Sequence, residues 1–296
     1  MSMRIASIAA PALALTLLLG AAPALAAGNS RGRPVTPGQS QGKAPLFPVL
    51  PDGTPVETST ARAQFTEGTD VAGADTLDWS IDIIGGSMDR FGILRSSSLD
   101  VMHGEITRGL GAGFDLSARL ETWNRGRVEQ GALRQSVEES GYGPTSFTLR
   151  ERLIHSEDGP SACIGARLEL PGAASGPGTH VVQGALFLPV TFSIADDTNL
   201  TTMIQGAVVP DVFDTSRDLE GAASLELSHD FAEHVSARCE AVSVWYGEIG
   251  RPWLGVVDAS VSFDPAAHVG LTLGASGGTS GGARDIGWFG SLNVHP

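Results

Sequence analysis

Apolar and polar residues alternate with a period of two through most of the chain from about Leu77 onward. In residues 114–123 one set of alternate positions is apolar and the other is polar or charged. The two sets are Phe114, Leu116, Ala118 and Leu120 against Asp115, Ser117, Arg119 and Glu121. Successive side chains of a β-strand point to opposite faces of a sheet. The pattern, which recurs in residues 234–246 and 252–264, therefore predicts strands with one apolar and one polar face.

Twelve such segments can be identified, and clusters of Gly, Pro, Asp and Ser, typical of turns, separate them. They cover residues 76–85, 91–104, 113–124, 145–155, 160–170, 181–193, 198–209, 217–229, 234–246, 252–264, 267–276 and 284–294. An even number of antiparallel strands, each apolar on one face, is typical of transmembrane barrels. The predicted fold is all-β: a transmembrane, antiparallel, up-and-down β-barrel of about twelve strands.

The connections between these strands alternate between short and long. The short ones are 109–112, 156–159, 195–197, 230–233 and 265–266. The longer ones are 124–144, 171–180, 210–216 and 277–283, and 247–251 is intermediate. Outer-membrane barrels have short periplasmic turns and longer extracellular loops, so this phase predicts both termini in the periplasm. A soluble periplasmic β-sandwich that binds a ligand is an alternative, but its outward faces would have to be polar.

The aromatic residues follow the same phase. Four tryptophans lie at strand ends beside the longer connections, and three phenylalanines lie beside the short ones. The two groups are Trp123, Trp245, Trp253 and Trp288, and Phe114, Phe192 and Phe263. Two aromatic belts at the two membrane interfaces are expected of a barrel in lipid.

The first part of the chain differs in character from the rest. An apolar run from Ile5 to Leu19 follows Arg4, and Ala24-Leu25-Ala26 is an A-x-A cleavage pattern. We therefore predict a signal peptide over residues 1–27 and Sec export to the outer membrane. Residues 28–70, rich in Pro, Gly and Ser, are predicted to be a periplasmic tail, and residues 71–296 the barrel.

Charge and cysteine content exclude several classes of function. The formal net charge is −14 and Lys43 is the single lysine, so the chain lacks the basic surface that nucleic acid requires. Cys163 and Cys239 are too few for a disulfide framework, and we expect them to act as small apolar residues. No Walker-type or dinucleotide-binding glycine loop is present, and we predict no cofactor.

Enzymatic motifs are weak. Gly274 to Gly278 matches G-x-S-x-G, and Asp285 and His295 follow it in the order of a hydrolase triad. That motif needs a strand-to-helix turn in a parallel sheet, whereas here it is predicted in a hairpin loop. The seven histidines are scattered without a zinc-type spacing, although His229 and His234 flank one turn. We therefore predict no metal site, no catalytic residues and no enzyme.

If the apolar faces contact lipid, the opposite faces supply a charged lumen. The predicted lumen-lining residues are Asp82, Arg119, Glu121, Arg150, Arg152, Arg167, Glu169, Glu220, Glu226, Arg238, Glu240 and Asp258. Arginines concentrate on three successive strands, and acidic residues lie on the strands opposite. Such walls can select solutes by charge, or their ion pairs can fill and stabilise a narrow lumen. Glu151 falls on the lipid face, which indicates a local bulge or a place near the interface.

Residues spread over 60–294 resemble a family of outer-membrane transporters associated with the meta-cleavage pathway of phenol degradation. The resemblance lies in Gly141–Arg150, Leu168–Gly172, Val261–Gly274 and Asp285–Val294. Pro144 stands where the family usually has Asp, and the chain ends in His295-Pro296 rather than in an aromatic residue. The resemblance implies uptake of aromatic or hydrophobic compounds and transfers no binding residues.

The sequence therefore predicts an outer-membrane channel for passive uptake of small molecules. Its predicted partners are outer-membrane lipid, small-molecule solutes and the barrel-assembly machinery. A structural barrel with a plugged lumen is the main alternative, followed by the periplasmic β-sandwich.

Overall fold

The computed structural model describes residues 65–91, 94–130, 135–156, 159–172, 182–210, 217–247, 253–266, 268–280 and 286–294. These residues form thirteen strands. They are β1 (Leu77–Phe91), β2 (Leu94–Gly111), β3 (Phe114–Gln130), β4 (Gln135–Gly141), β5 (Thr145–Ile154), β6 (Ser161–Leu170), β7 (Gln183–Ala195), β8 (Thr198–Pro210), β9 (Arg217–Ala232), β10 (Val235–Tyr246), β11 (Leu254–Ala266), β12 (Val269–Gly278) and β13 (Ile286–Val294). The predicted signal peptide, residues 28–64 of the predicted tail and His295-Pro296 lie outside the described residues.

Twelve of these strands close into an antiparallel barrel. Each pairs with its neighbours in chain order, except that β3 pairs with β5, and β1 pairs with β13 to close the sheet. The predicted fold class is therefore confirmed, and the β-sandwich alternative is wrong. Where the structure describes the chain, it has no helix that is long and apolar enough to cross a membrane.

The first strands are longer than predicted. Pairing of β1 with β2 continues as far as Phe91 and Leu94, and β2 extends to Gly111. The predicted long connection 124–144 contains the upper part of β3 and the whole of β4, which pairs with Asn124–Gln130 of β3. Residues such as Ser96–Ser98 carry no apolar face, so the period-two pattern is lost there, but backbone hydrogen bonds still extend the ladder.

The outer face of the barrel is apolar. Ile204, Leu225 and Leu273, which lie along the middle of three strands, are 59%, 49% and 59% exposed. Monomeric soluble proteins do not leave large aliphatic side chains exposed in such continuous bands. Trp245 and Trp253, at the ends of strands beside longer loops, are also exposed on this face. The outer face therefore has the composition that contact with lipid requires.

Short connections join β2 to β3, β5 to β6, β7 to β8, β9 to β10 and β11 to β12 at one end of the barrel, which we call the short-turn end. The opposite end is the long-loop end. The first strand begins and the last strand ends at the short-turn end, because Leu77 pairs with Arg108 and Val294 with Val269. This agrees with the phase that the connections predict.

Glu151 lies on the outer face at the short-turn end. It pairs with Phe114, the first residue of β3, and with Ile164 on the other side. A β-bulge follows between Arg152 and Ile154. Both features that the sequence indicated, a bulge and a place near the end of the strand, are therefore present, and Glu151 avoids the middle of the apolar band.

Candidate functional site: the barrel lumen and the segment inside it

A short part of the chain before β1 lies inside the barrel. Residues 65–73, which we call the lumen segment, extend from the short-turn end into the interior, where Thr66, Thr69 and Val71 are 2%, 7% and 4% exposed. Residues 65–70 belong to the stretch predicted as a periplasmic tail, and in the structure they contact the inner wall. The tail composition gave no periodic pattern that could have indicated this position.

One side of the lumen is an acidic wall, formed by Glu226, Glu240 and Asp258 on β9, β10 and β11. Glu240 is directly cross-strand from both other carboxylates, so the three lie side by side in one row. All three are buried. Three adjacent carboxylates repel one another and need hydrogen-bond donors to be stable away from water. Arg238, 3.8 Å from Glu226, supplies one positive charge.

The lumen segment supplies further donors to Glu240. The backbone amides of Phe65 and Thr66 donate to its two carboxylate oxygens at 3.0 and 2.5 Å, and the Thr66 hydroxyl donates at 2.5 Å. The same hydroxyl lies 2.5 Å from that of Ser224. Hydrogen bonds to an ionised carboxylate are roughly twice as strong as neutral ones. Glu240 is therefore the anchor of the lumen segment on the acidic wall.

The other side of the lumen is a basic wall, formed by Arg119 on β3, Arg150 and Arg152 on β5, and Arg167 on β6. Cross-strand register orders them from the short-turn end upward as Arg152, Arg150, Arg167 and Arg119. In the closed sheet β3 and β10 are six strands apart in either direction, so this wall faces the acidic wall.

Two arginines of the basic wall pair with carboxylates of the wall itself. Arg119 contacts Glu105 on β2 at 2.6 Å, and Arg150 makes a two-pronged contact with Asp115 on β3 at 3.0 and 2.7 Å. Asp115 is fully buried and also accepts a hydrogen bond from the amide of Ala72 at 2.9 Å. The wall is thus partly neutralised by its own acids.

The other two arginines contact the lumen segment. Arg167 forms an ion pair with Glu67, and Arg152 donates to the backbone carbonyl of Val71. Because Thr66 binds the acidic wall and Glu67 binds the basic wall, two consecutive residues of the segment connect opposite sides of the lumen. A cavity of about 20 Å³ remains beside Glu67, Arg119 and Arg150, which is room for about one water molecule.

Residues 67–69 of the lumen segment make further contacts with the inner wall. The amide of Glu67 contacts the sulfur of Met203 at 3.5 Å, Thr69 donates to Thr191 at 3.1 Å, and the Cys163 thiol lies 3.8 Å from the Gly68 carbonyl. Cys163 points inward and Cys239 outward, and both thiols are free. They occupy opposite faces of the sheet and do not form a bridge.

The lumen segment leaves the interior beside Gly109 of β2. The amide of Thr76 donates to the carbonyl of Gly73, and the amide of Gly109 donates to that of Thr76. A Cβ atom on Gly109 would lie 1.6 Å from the Gly73 carbonyl oxygen. The passage of the segment over the end of β2 therefore requires a residue without a side chain.

Strand register places all twelve residues predicted to line the lumen on the inner face. The assignments follow from pairing with buried or inward partners, such as Asp82 with His103, Glu169 with Ser146 and Glu220 with the buried Ala207. The set missed Glu105, Asp115 and Glu67. Alternation along β3 had placed Asp115 on the polar face, so this residue could have been included, whereas Glu67 carries no periodic signal.

The hydrolase-like motif has the wrong geometry for catalysis by a nucleophile elbow. Ser276 lies within β12, not in a loop as predicted, and β12 pairs antiparallel on both sides. A nucleophile elbow needs a strand-to-helix turn. Asp285 and His295 lie outside the described residues. Among the residues that the structure describes, no cluster of His, Cys, Asp or Glu could hold a metal ion.

The fold is that of outer-membrane β-barrels. It is similar to the structure of an outer-membrane channel from Pseudomonas putida F1, with a TM-score of 0.60 and 12% sequence identity over 79% of this chain and 100% of that one. The KdgM porin (TM-score 0.47, 11% identity, 73% of this chain and 98% of that one) and the CymD monoaromatic hydrocarbon channel (TM-score 0.45, 9% identity, 75% and 88%) are less similar.

No protein-family model matches the chain, and no curated protein matches it in sequence. The resemblance to the transporters of phenol degradation therefore stays a prediction. What is established is the fold: a closed, twelve-stranded, antiparallel β-barrel.

Proposed function

We propose that this chain is an outer-membrane channel for passive uptake of small molecules, and that the lumen segment closes it. The observation that supports the proposal is the way in which the segment is held. It is extended chain bound by side-chain contacts to the inner wall, and it is not a strand of the sheet. It can therefore leave the lumen without breaking any strand pairing of the barrel.

The outer membrane is the proposed location, with the short-turn end in the periplasm. The apolar outer face, the exposed tryptophans near one end and the short turns at the other support this orientation. The predicted signal peptide would direct export, and the barrel-assembly machinery and lipid are the proposed partners. We propose no cofactor and no enzymatic activity.

Aromatic or hydrophobic compounds are the solutes that the sequence resemblance favours. The basic wall, with its four arginines, also favours solutes with a negatively charged group that can bind on that side of the lumen. Displacement of the lumen segment would be needed for either kind, because Thr66 and Glu67 connect the acidic and basic walls across the lumen.

A structural barrel with a permanently filled lumen is the second candidate function. The buried contacts of Arg150 with Asp115 and of Thr66 with Glu240 favour it, since they are the kind of polar network that stabilises a closed interior. In this case the lumen segment would be part of the folded core.

Planar-bilayer conductance of the refolded mature protein distinguishes the two. The variant Glu240→Gln keeps the shape of the side chain but removes its charge. It also replaces one of the two acceptor oxygens by an NH2 group, which cannot accept a hydrogen bond from the amide of Phe65 or Thr66. For a channel, we expect wild type to open rarely and Glu240→Gln to open at least several-fold more often. Glu129→Gln, in an exposed ion pair with Arg127, is the matched control and should behave as wild type.

Heat-modifiable gel mobility shows whether each variant has formed a barrel. Electrical silence of both wild type and Glu240→Gln, in protein that is fully heat-modifiable, would reject the channel and support the structural barrel.

A further inference from the structure

Arg167 differs from the other salt-bridged arginines of the basic wall in where its carboxylate comes from. Arg119 and Arg150 pair with Glu105 and Asp115, which belong to the barrel, whereas the carboxylate against Arg167 is that of Glu67 in the lumen segment. The inner positions directly beside Arg167 on neighbouring strands are Thr148 and Ala185, neither of which carries a charge.

When the lumen segment leaves, the wall therefore keeps two of its ion pairs and loses the third. Arg167 is 9% exposed with the lumen segment in place and stacks on Phe187, with the guanidinium carbon 5.4 Å from the ring centre. Phe187 is itself held against the wall, because Gly165 leaves room for its ring. The Phe187 contact thus holds the guanidinium against the wall, and without Glu67 its positive charge faces the lumen, where a planar carboxylate can accept two hydrogen bonds from it.

We propose that Arg167 is a binding site for the carboxylate group of transported solutes, and that Glu67 occupies this site in the closed lumen. The inference rests on the proposed channel function and names its solute class as small carboxylates. A solute carboxylate and Glu67 compete for the same guanidinium, so binding of the solute favours departure of the segment. Arg119 and Arg150, 2.6 and 2.7 Å from wall carboxylates, do not offer an equivalent site.

The test uses propionate and propionamide, which match in size and shape and differ in charge. Each is added to refolded wild-type protein and to Glu67→Gln in planar bilayers. We expect propionate, but not propionamide, to raise the opening frequency of wild type. In Glu67→Gln, where no carboxylate competes, the half-effective concentration of propionate should fall at least five-fold.

Arg167→Gln should abolish the difference between the two solutes, and Arg167→Lys, which keeps the charge but loses the planar fork, should weaken the propionate effect at least several-fold. Arg127→Gln, in the exposed ion pair with Glu129 near the long-loop end of β3, is the matched control and should respond as wild type. The lysine variant keeps the test decisive if the glutamine variant does not fold.

Equal responses to propionate and propionamide in a conducting protein, or an undiminished propionate response in Arg167→Lys and Arg167→Gln, would overturn the carboxylate site and leave the channel intact. Failure of the channel itself has a different signature, since wild type, Glu240→Gln and Glu67→Gln would then all be heat-modifiable and silent in every solute.

Discussion

The hydroxyl oxygens of Thr66 and Ser224, which are 158 residues apart in the chain, lie 2.5 Å from each other inside the barrel. Ser224 belongs to β9 and Thr66 to the lumen segment, so this contact joins the segment directly to the barrel wall. Both side chains are buried. Substitutions of these two residues can therefore strengthen or weaken the attachment of the lumen segment without altering the outer face.

A disulfide at this position should lock the lumen. Thr66→Cys combined with Ser224→Cys, in a background of Cys163→Ala and Cys239→Ala, places two thiols where two hydroxyls now touch, and a disulfide needs neighbouring Cβ atoms about 3.5–4.5 Å apart. We expect oxidised protein to lose bilayer conductance and reducing agent to restore it. The Thr66→Cys single variant in the same background is the control. Persistent conductance of fully cross-linked protein would show that solutes bypass the segment.

The reactivity of Cys163 should report on the position of the segment. This thiol is fully buried beside Gly68, whereas Cys239 faces outward. In a Cys239→Ala background, a charged, water-soluble thiol reagent should label folded wild type at least ten-fold more slowly than Glu240→Gln, as measured by mass spectrometry. Rapid labelling of the wild-type lumen would contradict stable closure by residues 65–73.

Gly109→Ala should displace the lumen segment at its exit. The added methyl group would lie 1.6 Å from the Gly73 carbonyl oxygen, and a backbone shift of this kind costs about 1–3 kcal/mol. We expect more frequent channel opening and faster labelling of Cys163. The matched control is Gly206→Ala on β8, where a Cβ atom would meet nothing within 4 Å. Similar behaviour of the two variants would show that the passage is not tight.

The same substitution on the outer face should cost more stability at the centre of the membrane than near its surface. Ile204, at the centre of β8, is 59% exposed, and Ile194, next to the short turn after β7, is 58% exposed. Ile204→Arg should destabilise the barrel in vesicles by ~2–4 kcal/mol and Ile194→Arg by ~0–1 kcal/mol. Denaturant titrations of both variants measure this. Equal losses would mean that the outer face does not cross a bilayer as proposed.

The fold and most of the inner wall could be predicted from the sequence because the alternation of apolar and polar residues within one strand shows which residues lie on each face. Alternation along β3 separates Leu116 and Leu120 from Asp115 and Arg119 without any knowledge of neighbouring strands. The same rule fails for Ser96–Ser98 in β2, where three consecutive residues are polar. There the backbone pairing with β3 continues the strand, and the three serines carry no alternation of polarity.

The sequence by itself determined the number of barrel strands, the polarity of each face and the opposition of arginines to acidic residues. Only the tertiary structure decided that Glu67 meets Arg167, that Thr66 meets Glu240 and that Gly109 lets the segment pass. The physical reason is that these contacts depend on closure of the sheet and on a segment without periodicity. Complementary charge and hydrogen bonding hold that segment in place, and neither leaves a repeating pattern along the chain.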